Sequence, residues 1–186
     1  ASVLGAGNIL IDETDSIDLL DVDTANGAIT INSLGSITAT DVQSLTDSDA
    51  NDIALQARNW ISVGSIDAGT LSGDVNLNVT NGGISDLNGG AVNVTADDLT
   101  LSVTSGVDLD TQVNTLHASA VGGSLGNNII IDETDGIILS DVDTANGSID
   151  IDADGTITVV TVVSQTSSEA NDITIDATTG DILLGV

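Results

Sequence analysis

Cysteine, proline, methionine, phenylalanine and tyrosine are all missing from this chain of 186 residues; Trp60 is its only aromatic side chain and Arg58 its only basic one. Without cysteine there is no disulfide framework and no thiolate metal site. That lack also suits export routes that thread an unfolded chain. A formal charge of −28 excludes nucleic acid and anionic membrane surfaces as partners, because both are held mainly by Lys and Arg. No apolar run approaches the ~20 residues that a membrane helix needs. Ala1 is preceded by no signal-like segment, as expected of a mature piece or an excised segment of a longer protein.

What is present is aliphatic. Hydrophobic residues make up 40% of the chain, nearly all Ile, Val, Leu and Ala. Highly charged chains that stay disordered are poor in β-branched residues, so this one is expected to fold, in a medium whose salt or divalent cations screen its self-repulsion.

The stretch Asn8 to Ala57 is written twice, returning ungapped at Asn128 to Ala177 with 30 of 50 positions identical and an offset of 120 residues. Its signature is I-x-I-D-E-T-D (Ile9 to Asp15, Ile129 to Asp135) followed by D-V-D-T-A-N-G (Asp21 to Gly27, Asp141 to Gly147). Such self-similarity marks a repeat architecture. Inside it lies a shorter beat of Φ-x-Φ pairs: Ile9/Ile11, Ile29/Ile31, Ile53/Leu55, Val75/Leu77 and Val92/Val94, then Ile129/Ile131, Ile149/Ile151 and Ile173/Ile175. Each is the period-2 pattern of a strand with one buried face. A second beat follows at Ile17/Leu19, Ile37, Ile61/Val63, Ile84, Leu99/Leu101, Ile137/Leu139, Ile157 and Ile182. A third comes at Val22, Val42, Ile66, Leu87, Val142 and Val162, and Gly and Asn mark the corners between beats.

These beats predict an all-β chain folded as a parallel β-helix (β-solenoid), with three short strands per coil of about 20 residues and aliphatic ladders along the axis. One segment over 1–186 is expected, without a linker. Eight or nine coils spaced ~4.8 Å apart would form a rod roughly 40 Å long. Leu101 to Leu125 is the least regular stretch and is expected to hold bulges or a longer loop. The rival fold, a tandem of immunoglobulin-like sandwiches, fits poorly, since sandwich cores lean on a buried strand Trp and a corner Tyr.

The rhythm of segments such as Asn26-Gly27-Ala28-Ile29-Thr30-Ile31 and Gly35-Ser36-Ile37-Thr38-Ala39, with Thr111 to Asp135, resembles the repeats of filamentous haemagglutinin-like giant bacterial adhesins. The resemblance covers essentially the whole chain and is one of rhythm and composition. It implies a right-handed β-helix stalk, extracellular and held at the cell surface. Handedness comes from the resemblance alone.

The acidic corners are the candidate site. Asp12, Glu13 and Asp15 form one cluster, Asp21 and Asp23 another, and Asp132, Glu133, Asp135, Asp141 and Asp143 repeat both. In a 20-residue register Asp21 falls beside Asp41 of the next coil. Like charges on neighbouring strands repel, and a calcium ion between them would reverse the sign. The plainer reading is a solvated acidic face. Neither an EF-hand loop nor the G-G-x-G-x-D repeat of calcium-loaded β-rolls occurs; Asp21 to Gly27 mimics a calcium loop only in part. A glycosidase or polysaccharide lyase would need a defined carboxylate pair or a substrate-neutralising group, and neither stands out. His117 has no Cys or second His to build on. Trp60 replaces what is Gly180 in the second copy; it reads as a corner residue, with sugar contact the sharper alternative. Arg58 can pair modestly with a carboxylate.

The expected function is therefore a non-enzymatic structural spacer of a large secreted cell-surface adhesin. Its partners are neighbouring repeats of the same long chain, with adhesion to surface glycans or another cell left to other domains. The alternatives are a calcium-rigidified adhesion module and, more remotely, a carbohydrate-active β-helix enzyme.

Overall fold

The structure is a computed structural model and describes residues 1–122 and 126–185. All of its regular elements are strands, and they pair in parallel as a β-solenoid of about 8 turns with ~22 residues per turn. Alternation sets which residues enter the core: in Ile29–Ser33, Ile29 and Ile31 are buried while Thr30 and Asn32 stay half-exposed.

Three ladders run along the rod. The first face stacks Ile9 on Ile29, then Ile53, Val75, Leu99, Leu116 and Leu139. The second stacks Ile17, Ile37, Ile61, Ile84, Val107, Ile129, Ile149 and Ile173. The third stacks Val22, Val42, Ile66, Val94, Thr111 and Glu133. Most ladder members between the ends have almost no exposed surface, and burying each such side chain stabilises the fold by about 1.5–3 kcal/mol.

The ladders expose a phase shift between the two copies. Ile129 is the repeat-equivalent of Ile9, yet it lies in the ladder of Ile17, because five coils take the chain from Ile17 to Ile129. The offset of 120 residues is thus five coils plus one face, and the second copy is turned by about a third of a circuit around the axis.

Several expectations are corrected by this register. Val94 belongs to the third face, where it pairs with Ile66, and Leu99/Leu101 belong to the first, on Val75/Leu77. Leu87 lies outside the core, 51% exposed. The stretch that looked least regular contains the longest strand, Val107–Ala120. There the chain crosses three faces without Gly corners, which is why the beat vanishes from the sequence while the pairing persists. One irregularity falls there, a register shift between Leu116 and His117 against Ile137–Thr144. Leu125, the end of the expected loop, lies outside the described residues.

The D-V-D-T-A-N-G signature is a strand, Val22–Asn26 in the first copy, that ends in an Asn-Gly corner. Val22 enters the third ladder, and the buried Thr24 donates its hydroxyl to the Gly7 carbonyl at 2.8 Å. Asn26 Oδ1 accepts from Asn51 Nδ2 at 2.9 Å. Gly27 packs so closely that a Cβ there would lie 2.2 Å from the Gly7 oxygen. Thr144 and Asn146 repeat these bonds to Asn127 O (2.7 Å) and Asn171 Nδ2 (3.0 Å). The local corner is kept while the face it serves has changed.

Candidate functional site

The acidic residues singled out in the sequence divide among several places on the rod. Asp12 points outward and accepts from Asn32 Nδ2 at 2.8 Å; with Glu13, Asn32, Leu34 and Gln56 it lines one shallow groove. Asp15 and Asp135 are exposed at corners. Asp21 lies beside Asp41, since Val22 pairs with Val42 and Val22 N–H donates to Asp41 O. Asp23 accepts from Ser2 Oγ at 2.7 Å. Burial of the Asp41 carboxyl, followed by the charges of Asp21, Asp23 and Asp67, holds its pKa above the ordinary carboxylate value. Asp141 stands opposite His117 on the neighbouring strand, and Asp143 accepts from Gln165 Nε2 at 3.0 Å.

Glu13 and Glu133 occupy the same repeat position in opposite surroundings. Glu13, half-exposed at the first coil, accepts backbone N–H groups of Asp15 (3.1 Å) and Thr14 (2.7 Å). Those two bonds, Asp15 first, hold its pKa below the usual value. Glu133 is buried beneath Thr111: its Oε2 accepts from Thr111 Oγ1 at 2.9 Å and Val113 N–H at 3.0 Å, and its Oε1 from Asp135 N–H at 3.1 Å. Loss of water outweighs these donors and pushes its pKa up to about 7.

Beside Glu133 the outward face carries a column of aspartates, of which the sequence pointed to Asp132 alone. Asp110 pairs with Asp132, Asp132 with Asp152, and Asp152 with Asp176, one per coil. In the first copy the corresponding column reads Asp12, Asn32, Gln56, so the second copy has replaced two amides by carboxylates. Aligning the copies position by position would have revealed this. Desolvation, joined by repulsion from neighbouring aspartates, raises the pKa values of Asp110, Asp132 and Asp152. Asp110, Asp132, Glu133, Thr134, Asp152 and Asp154 share a groove of about 200 Å³.

Other acids, also missed, serve the backbone. Asp52 Oδ1 accepts from Asp74 N–H at 3.3 Å and Asp74 Oδ1 from Asp98 N–H at 3.2 Å, linking three coils at one corner. Asp47 accepts from the N–H groups of Leu71, Ser72 and Gly73. Each carboxylate takes up N–H groups that a turning backbone leaves unpaired. His117 lies half-buried on the outer surface, near Asp74 and Asp98. Among the described residues no three His, Asp or Glu side chains are arranged to hold a metal ion. Comparison of the chain with protein-family models, curated proteins and solved structures found no match.

A pH dependence follows from the raised carboxylates. A folded-state pKa above the unfolded one means that the folded chain binds protons more tightly, so stability falls as pH rises through the window between them. For Glu133 that window runs from 4.5 to about 7, and the raised aspartates Asp41, Asp74, Asp110, Asp132 and Asp152 act in the same direction. The melting temperature should therefore be higher at pH 5 than at pH 8, and a higher value at pH 8 would contradict this placement of Glu133. Asp152→Asn, which restores the Asn32-like amide, should stabilise the chain at pH 8 by about 0.2–1 kcal/mol, the range of a cross-strand pair.

Proposed function

We propose that the chain is a non-enzymatic spacer segment of a large secreted adhesin, holding other domains away from a cell surface. The carrying observation is the unbroken ladder: the strands pair in parallel from coil to coil across both copies of the repeat, with one aliphatic core along the axis. A solenoid of this kind lengthens by adding coils, each stabilised by its neighbours. The acidic surface keeps such rods soluble and apart. The resemblance to haemagglutinin-like repeats supports the same reading. Antibodies raised against this chain should label intact cells of the source and detect a polypeptide several times longer than 186 residues. Labelling confined to the cytosol, on a polypeptide of about this length, would contradict the proposal.

The column Asp110, Asp132, Asp152 and Asp176 favours a second reading, in which calcium bound along the outer face rigidifies the rod. Parallel strands ~4.8 Å apart set carboxylates of neighbouring coils side by side, so that a hard cation would bridge two of them and complete its shell with water. A ligand that binds only the folded state raises the melting temperature in a concentration-dependent way. Calcium added at fixed ionic strength should do so here, with a smaller effect in Asp132→Asn/Asp152→Asn. A flat titration would dispose of this reading.

A further inference from the structure

Trp60, the single aromatic residue, is not in the core. It is 47% exposed, at the corner between the first and second faces, just ahead of Ile61–Val63. What lies under it is backbone. A Cβ at Gly83 would come within 3.0 Å of Trp60 Cζ3, and one at Gly82 within 3.1 Å of Trp60 Nε1. Backbone packing already excludes a side chain at both positions, since a Cβ at Gly82 would lie 1.6 Å from Asn59 O, and the indole rests beside this bare backbone. A Cβ at Gly83 would also lie 2.2 Å from Gly106 O, so the bare backbone continues one coil further. The result is a groove of about 400 Å³ running from Trp60 past Ser85 and Asp108 to Asn128 and Ile130.

The dimensions and chemistry of this groove are specific. It crosses four coils, a span of about 14 Å at ~4.8 Å per coil, room for two or three linked pyranose rings. Its lining is mostly apolar: Trp60, Ile84, Ile130 and the backbone of Gly106 and Gly126. Its rim is polar: Ser85, Asp108 and Asn128, the last with its Oδ1 already accepting from Ser148 N–H at 3.0 Å and its NH2 group the donor a hydroxyl would meet. Aromatic faces receive flat apolar surfaces, and the negative potential of an indole face favours C–H or cationic groups over anions. Asp108 in the groove and a formal charge of −28 repel carboxylated or sulfated sugars. We propose that this groove is a glycan-binding subsite for a non-acidic pyranose chain, with Trp60 stacking on a sugar ring and Asp108 accepting hydrogen bonds from its hydroxyl or amino groups. The subsite is independent of the spacer reading: a rod can carry it whether or not it belongs to an adhesin.

Because Trp60 is the sole tryptophan and tyrosine is absent, intrinsic fluorescence reports on this groove alone. The 186-residue chain should be titrated with cello-oligosaccharides (neutral), glucosamine oligomers (cationic) and oligogalacturonate (anionic), with calorimetry as a second readout. The expected result is saturable quenching or a spectral shift with one or both of the first two and none with the third. Trp60→Ala should weaken calorimetric affinity at least tenfold while circular dichroism and melting temperature stay close to the parent, and Asp108→Asn should weaken it several-fold with Trp60 intact. No response to neutral or cationic sugars at millimolar concentration would overturn the proposal. So would binding that survives Trp60→Ala unchanged, or a preference for oligogalacturonate.

Discussion

Stacking of like aliphatic side chains, coil on coil, is the constraint from which the rest of this structure follows. A strand of three to five residues cannot bury its inward side chains alone, and its N–H and C=O groups need partners on both edges. The coils before and after supply both. Ile29, with Ile9 on one side and Ile53 on the other, is representative: it belongs to a column of packed methyl groups that doubles as a hydrogen-bonded ladder. The corners must then turn the chain without spending backbone hydrogen bonds, and buried Thr and Asn side chains such as Thr24 and Asn51 take up the groups left over.

The two copies differ in electrostatics while sharing one ladder. The same I-D-E-T-D sequence leaves Glu13 half-exposed with a lowered pKa and Glu133 buried with a raised one. Thr111 and Val113 of the preceding strand close over Glu133, whereas Ile9–Glu13, on the first coil, pairs only with the following strand, Ile29–Ser33. Amides in the first copy's outer column have become aspartates in the second, on another side of the rod. A duplicated segment thereby displays two chemically distinct faces. Along one runs the carboxylate column; the corner that carries Trp60 opens an apolar groove with a polar rim.

Much of the fold was legible because a half-buried strand writes a period of two into the sequence, and Ile9/Ile11 or Ile149/Ile151 leave little else to read. Phase was not. Coil length varies from the 17 residues between Leu99 and Leu116 to the 28 between Ile66 and Val94, so the face on which a repeat falls depends on the sum of all coils before it. For the same reason Val94 was assigned to the wrong face. The continuous strand through Leu109 and Val113 was hidden because it lacks the Gly corners that punctuate the others. At the acidic corners, the adjacency of Asp21 and Asp41 could be read from spacing alone. The burial of Glu133 could not, since it is a property of the neighbouring coil. Asp52, Asp74 and Asp47 went unnoticed as backbone acceptors because their partners are N–H groups, which carry no sequence signature.

The rotation of one copy against the other is the claim that separates this structure from any simpler stack of repeats. The chain has no native cysteine, so paired nitroxide labels can be placed at will and their separations measured by pulsed electron resonance. Asp18→Cys with Ile130→Cys puts both labels on the outer side of the second face, five coils apart, or about 24 Å along the axis at ~4.8 Å per coil. Leu10→Cys with Ile130→Cys joins equivalent positions of the two copies across different faces. The first distance should be the shorter of the two. The reverse order would mean that the copies lie in phase, and that the ladders have been drawn through the wrong residues.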